Sequence, residues 1–338
     1  MQALLLEEPG RMSLKEWPEA QMPGDGEALV RVHRVGVCGT DIHAYGGRQP
    51  FFTYPRLLGH ELGVEVLKVG AGVENVRIGD HCAVEPYLNC GNCIACRRGR
   101  SNCCAHLQVL GVHIDGGMRE RFTLPAVKLH PSRKLDLEQL AVVETLCIGA
   151  HAVSRAALEP GEWALVIGAG PIGLGAMLFA RHAGTRVIAL DVNEDRLRFC
   201  QDAWGVTATV AAGDAALETV RELTGGDLPT AVFDATGHQG SMNRAFDYVA
   251  PGGRLIFVGL FQGNVTFSDP DFHRKELTIL ATRNALPADF KNIIGWIESG
   301  AIDTGNWVTH RAPFSDVPAA FNGWTKPQSG VLKAIIEF

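Results

Sequence analysis

A chain of 338 residues is longer than one ordinary core organises, so two domains are expected. Apolar residues make up 46%, charged residues 20%, and the formal net charge is -6, a globular composition without a basic field for nucleic acid or anionic lipid. Small molecules are the expected partners, and with no apolar run near the ~18 residues that span a bilayer and no secretory leader, the nine cysteines point to metal or catalysis in a reducing, cytoplasmic setting.

In chain order, Met1 to Leu6 reads as a first strand. Short β-like runs follow to about residue 145 (Ala28 to Val32, Val64 to Val69, Cys82 to Val84), separated by Gly, Pro and Asp turns, and this predicts a barrel-like β unit. Two strings in it carry ligand-type side chains: Cys38-Gly39-Thr40-Asp41-Ile42-His43 and Gly59-His60-Glu61. A His-Glu pair alone is usually an ordinary polar pair at a strand start. Thiolate plus imidazole, with a third ligand and an open position, is catalytic-zinc chemistry. Further on, Cys90-Gly-Asn-Cys93-Ile-Ala-Cys96 and Cys103-Cys104 put five thiols into fifteen residues. Four converging thiolates make a structural zinc site, and Cys103 and Cys104 cannot both easily aim at one ion.

From about 146 to 285 strands alternate with helices, predicting a parallel sheet. The apolar strand Trp163 to Ile167 runs into Gly168-Ala-Gly170-Pro171-Ile172-Gly173 and then a helix from Leu174 to Ala183. Glycines in that context let backbone N–H groups approach a pyrophosphate at the helix N-terminus. A second strand, Arg186 to Leu190, ends in Asp191, eighteen residues beyond Gly173. An acid there suits the adenine-ribose hydroxyls and repels a 2′-phosphate, favouring NAD over NADP. Arg196 and Arg198 read first as solvated helix charges, with Arg196 kept as a candidate on the cofactor side. Later strands end at Asp234-Ala-Thr236-Gly237 and at Gly259, positions that line a cofactor crevice. Leu277 to Ala281 is β-rich and leads to Thr282-Arg283-Asn284. The remainder, 286–338, holds a helix from Pro287 to Ser299, with Phe290, Ile293, Ile294, Trp296 and Ile297 as its apolar face, and a last strand from Val331 to Phe338. It is too short for a third domain and is expected to complete residues 1–145.

Together these motifs, in this order, resemble the zinc-dependent medium-chain alcohol dehydrogenases over essentially the full length. The chain is most similar to the sorbitol dehydrogenase-like polyol and sugar dehydrogenases. Gln49-Pro-Phe-Phe-Thr-Tyr-Pro-Arg56, Gly111-Val-His-Ile-Asp-Gly-Gly117 and Phe267-Ser-Asp-Pro-Asp-Phe272 look like the bacterial L-galactonate 5-dehydrogenase group. The resemblance implies a GroES-like β-barrel catalytic domain (1–145, completed by 286–338), a Rossmann NAD-binding domain (146–285), and a homo-dimer or homo-tetramer.

It also implies residue roles. The fourth structural cysteine falls on Cys104, leaving Cys103 spare. Catalytic-zinc ligands fall on Cys38 and His60, with Glu61 and Glu144 competing for the rest. Two carboxylates beside a thiolate would leave the site net negative and weaken its Lewis acidity, so Glu61 and Glu144 are expected to share or alternate. Thr40 would accept the substrate proton and His43 carry it to solvent. Arg283 is assigned to substrate, since a guanidinium suits hydroxyls or a sugar-acid carboxylate; His113 and Arg56 are weaker candidates. The chain departs from its relatives at Glu144-Thr145, where the polyol branch usually has Glu-Pro, and at Gly63-Val64, where the glycine stands one residue early. Two rivals keep the same plan: a zinc-free NADPH quinone reductase, which would not need Cys38, His60 and the cysteine lobe, and a non-catalytic zinc and NAD sensor, which would not need Thr40 and His43.

Overall fold

The computed structural model describes residues 1–49, 52–326 and 329–338. Pro50 and Phe51, inside the 49–56 string, lie outside the described residues. The chain divides into two compact units, Met1–Thr145 with Ala285–Phe338, and Leu146–Asn284.

The first unit is built on the eleven-residue strand Glu27–Val37. It pairs antiparallel with Glu61–Val69, with Arg121–Pro125 and, at its far end, with Ala334–Glu337. Side chains alternate across such a strand, so Val30, Val32, Val35 and Val37 enter one core with Val64, Val66, Phe122 and Ile336. A smaller sheet of Arg11–Glu16, Gln2–Glu8 and Arg56–Leu57 stands apart from this one.

The last strand is shorter than the sequence predicts. Only Ala334–Glu337 is extended and paired. Residues 331–333 are taken out of the ladder because the Lys333 carbonyl accepts the N–H groups of Thr309 and His310, while its ammonium turns into the core. The helix Pro287–Glu298 buries Phe290, Ile293, Ile294 and Ile297, with Trp296 half-buried at the margin.

Gly63 has a packing reason. A Cβ there would lie 2.0 Å from the carbonyl oxygen of Leu137, where the helix Leu137–Ala156 begins. That helix runs regularly through Glu144 and Thr145, threonine keeping the N–H that a proline would lack. Gly63→Ala should therefore force strand and helix apart and cost about 2 to 3 kcal/mol; an unchanged urea midpoint would refute the close approach.

The second unit is a six-stranded parallel sheet. Its first strand, Trp163–Ile167, lies at the centre; Arg186–Asp191 and Ala208–Ala211 extend to one side, and Ala231–Asp234, Arg254–Phe257 and Thr278–Ala281 to the other. This is the doubly wound order, in which ligands bind where the winding reverses, between Trp163–Ile167 and Ala231–Asp234. Leu165, Ile167, Ile188, Leu190, Val232 and Leu255 form its core. The helix Pro171–His182 starts earlier than its apolar run, because Pro171 suits the first helical position and Gly170 caps it. Among the described residues, no helix is long and apolar enough to cross a membrane.

Candidate active site

In the first unit, strand Glu27–Val37 ends next to the start of its antiparallel neighbour, with Gly36 opposite Glu61. The register brings Cys38, His60 and Glu61 together, one ligand atom of each lying within 4.8 Å of the others. Cys38 also caps the short helix Gly39–Tyr45, and its N–H donates to Asp41 Oδ2 at 2.9 Å. Asp41 is fully buried, and its Oδ1 lies 3.8 Å from His60 Nδ1; among the described residues neither atom has a hydrogen-bond partner. At that distance the carboxylate acts on the imidazole through its charge and leaves the other ring nitrogen for a metal.

Charge around His60 favours a cation. Burial works against a positive imidazole, yet Cys38 and then Asp41 outweigh it and raise the His60 pKa well above the ordinary value. A buried site that draws positive charge to itself, lined by sulfur, nitrogen and oxygen, fits a zinc ion.

Glu61 and Glu144 differ in their surroundings. Both Glu61 oxygens accept from Lys333 Nζ at 2.7 Å, and the same ammonium donates to the Val37 carbonyl at 3.2 Å. Burial raises the Glu61 pKa, but Lys333 and then His60 overcome it and hold it below the usual carboxylate range. Its carboxylate lies over Gly36, where a Cβ would come within 2.1 Å of Oε2. Glu144 lies outside the mutually close trio. It accepts from the Tyr87 hydroxyl, and burial raises its pKa against the pull of His60. Thr40 and His43 stand three residues apart on the helix Gly39–Tyr45, the first half-buried and the second exposed. Partial desolvation of the His43 ring, then the charge of Arg48, holds its pKa below the ordinary value.

Cys90, Cys93, Cys96 and Cys104 form a second group with all four sulfurs within 4.8 Å, and Cys103 stays outside it, exposed. The sulfurs lie 3.4 Å apart in Cys90–Cys104, 3.5 Å in Cys93–Cys96 and 3.9 Å in Cys93–Cys104. A tetrahedron of bonds about 2.3 Å long has edges of about 3.8 Å, so the lobe has the size a zinc ion requires. Cys104 Sγ also accepts the N–H groups of Cys90 and His106, each at 3.3 Å. Backbone N–H groups of Cys96 and Ala105 bring the Cys93 thiol down to about 6, while burial pushes Cys104 up to about 11.

In the second unit the three fingerprint glycines behave differently. Gly168 has φ +99°, and a Cβ on Gly173 would fall 1.7 Å from the Gly168 carbonyl oxygen. Gly170 faces open space, the side from which a phosphate could approach, and Pro171 and Ile172 begin the helix behind it. Asp191 is buried at its strand end; Oδ2 accepts from Ala169 N–H at 2.6 Å and Oδ1 from Asn193 N–H at 2.8 Å. The acid thus binds the glycine turn to the second strand, and its oxygens keep further lone pairs for hydroxyls. Arg196 is an exposed helix charge. Thr236 Oγ1 donates to Asp234 Oδ1 at 2.6 Å, and Gly259 backs onto Gly237, where a Cβ would lie 2.3 Å from the backbone nitrogen. Arg283 is exposed just past the strand Thr278–Ala281. The weaker candidates are engaged locally: His113 Nδ1 accepts from Val109 N–H at 3.1 Å, and Arg56 lies 3.6 Å from Asp115.

The sequence reading assigned no role to Asp41, Tyr87 or Lys333. Lys333 had a signal, a single charge inside the apolar run Val331-Leu-Lys-Ala-Ile-Ile336.

A family model described as alcohol dehydrogenase GroES-like domain matches residues 24–134, and one described as zinc-binding dehydrogenase matches residues 171–299. L-galactonate-5-dehydrogenase of Escherichia coli K12 is 40% identical over 338 residues, covering 100% of this chain and 99% of that one. Among solved structures, the alcohol dehydrogenase rspB of E. coli CFT073, complexed with NADH, has a TM-score of 0.93 at 30% identity, covering 100% and 99%. A zinc-binding dehydrogenase from Sinorhizobium meliloti bound to NADP has a TM-score of 0.91 at 27% identity, covering 100% and 99%. The first unit is GroES-like and the second, parallel unit is a Rossmann fold. With a full-length relative at this identity and both domain models matched in order, the chain belongs to the zinc-type alcohol dehydrogenase family.

Proposed function

We propose that this dehydrogenase oxidises a secondary alcohol of a sugar acid or polyol, of the L-galactonate type, with NAD. The observation that carries the reading is the convergence of Cys38, His60 and Glu61 within 4.8 Å, one helix turn from Thr40 and His43. Cys38, His60 and Glu61 would hold the catalytic zinc, with Glu144 close behind, and the four lobe cysteines a structural one. Zinc, when bound, supplies Lewis acidity that makes an alcohol proton easier to remove.

The chain's own groups do the rest. Asp41 sets a negative charge beside His60, and Lys333 offsets the charge of Glu61. Thr40 takes up the substrate hydroxyl proton on its own oxygen as its original proton leaves towards His43, which faces solvent. NAD, when bound, would take up the hydride of the carbinol carbon, so that alcohol and NAD would give a ketone, NADH and one proton. Gly170 gives the pyrophosphate room, and Asp191 selects for ribose hydroxyls over a 2′-phosphate. Arg283 would pair with a substrate carboxylate or hydroxyls. The 40% identity to an L-galactonate enzyme supports the sugar-acid class.

The test is a panel of aldonates and polyols with NAD or NADP, before and after complete chelation. NAD-linked oxidation lost with zinc and restored by it is expected. Oxidation that prefers NADP, or continues in zinc-free protein, would sink the proposal.

His43 adds a pH test. It serves only as the neutral base, and its lowered pKa keeps it neutral to more acid pH than free imidazole. The acid limb of kcat/KM should therefore fall below about pH 6.5, and His43→Asn should abolish that limb; a limb unchanged in the variant assigns it to another group.

A further inference from the structure

Among the described contacts of the cysteine lobe, one comes from a side chain outside the ligand set. Asn89 Nδ2 donates to Cys96 Sγ at 3.6 Å. The other end of this amide is pinned, with Oδ1 accepting from Lys128 Nζ at 2.9 Å. An ammonium can only donate, so the amide must turn its oxygen to Lys128 and its NH2 to the sulfur. Lys128 is itself fixed by Glu85, whose second oxygen lies 3.2 Å from His130 Nε2. Glu85, Lys128 and His130 are all buried. His130 stacks on Phe290 of the helix Pro287–Glu298, ring centroids 4.9 Å apart and 14° from parallel.

Such a cluster is an expensive way to gain stability, since buried ion pairs often do no better than apolar residues of the same volume. Its position suggests a use. Four thiolates around Zn²⁺ carry net negative charge, and each N–H donated to a sulfur disperses part of it. Cys104 receives backbone N–H groups for this purpose, whereas Cys96 receives the side chain that Lys128 aims.

We propose that Asn89 is a positioning residue for the structural metal: its amide, oriented by the buried Glu85–Lys128 pair, holds Cys96 on the ion and slows the ion's loss. The proposal assumes that the lobe is a zinc site, so the experiment separates the two. Zinc is counted in the purified full-length protein and in Cys93→Ser, and its transfer to a chromogenic chelator is followed in time. The phase missing from Cys93→Ser belongs to the lobe. Asn89→Asp keeps an oxygen for Lys128 and loses the NH2; Asn89→Leu removes both without adding charge. Both should release lobe zinc about tenfold faster, with the other zinc phase and the thermal midpoint of the folded chain unchanged. Lys128→Met, which frees the amide to rotate, should also accelerate release. Release of lobe zinc from Asn89→Leu at the wild-type rate overturns the proposal, even if Asn89→Asp is fast, because added charge would then explain that variant. A wild-type chain with no more zinc than Cys93→Ser overturns the lobe reading itself and the proposal with it.

Discussion

His60→Ala should lower kcat/KM for alcohol oxidation about a thousandfold or more, corresponding to about 4 kcal/mol of lost transition-state stabilisation. It should also remove about one zinc per chain while the lobe keeps its own. The imidazole is the only nitrogen in the trio, and Cys38 and Glu61 alone leave too few protein ligands for a catalytic site. Asp41→Asn should cost less, about 10- to 100-fold in metal affinity, because it removes a buried charge beside His60 and leaves the imidazole in place. Zinc content and steady-state rates check both. Equal losses in the two variants would mean that Asp41 matters to the fold more than to the ring.

Lys333→Ala should be the most destabilising change in the first unit, about 3 to 5 kcal/mol, since it strands the Glu61 carboxylate without its buried partner. The loss follows from geometry: both Glu61 oxygens and the Val37 carbonyl depend on this one ammonium, which is 2% exposed. Replacing both partners, as in Glu61→Leu with Lys333→Met, should recover most of the loss, because neither charge of this pair is then left buried. Urea unfolding of the metal-free proteins measures the difference. If the double variant is no more stable than Lys333→Ala, the cost lies in packing and not in the unpaired charge.

Much of this site was legible before the fold was known, for identifiable reasons. Cys38, His60 and the lobe cysteines are close together in sequence motifs whose residue types have few other uses. The glycine string was legible because a strand precedes it and a helix follows. What stayed hidden depends on contacts across long separations. Lys333 meets Glu61 across 272 residues, and no local pattern records that. Gly36 and Gly63 look like ordinary strand glycines until the Glu61 carboxylate and the Leu137 carbonyl are seen against them. The final strand is shorter than its apolar run, because such a run does not show where a side chain turns inward. The two glutamates looked interchangeable in sequence, and their neighbours separate them: an ammonium for Glu61, a phenol for Glu144.

The strand pairing of Ala334–Glu337 with residues 34–37 has a consequence for synthesis. The proposed ligands Cys38, His60 and Glu61 are all made early, but Lys333 follows Glu61 by 272 residues, roughly 14 to 54 s at ordinary elongation rates. Throughout that interval the nascent chain carries the acid without its counter-charge, and the edge that the last strand will cover stays open. A cell that loads zinc during translation would meet a more anionic and more accessible site than the finished enzyme presents.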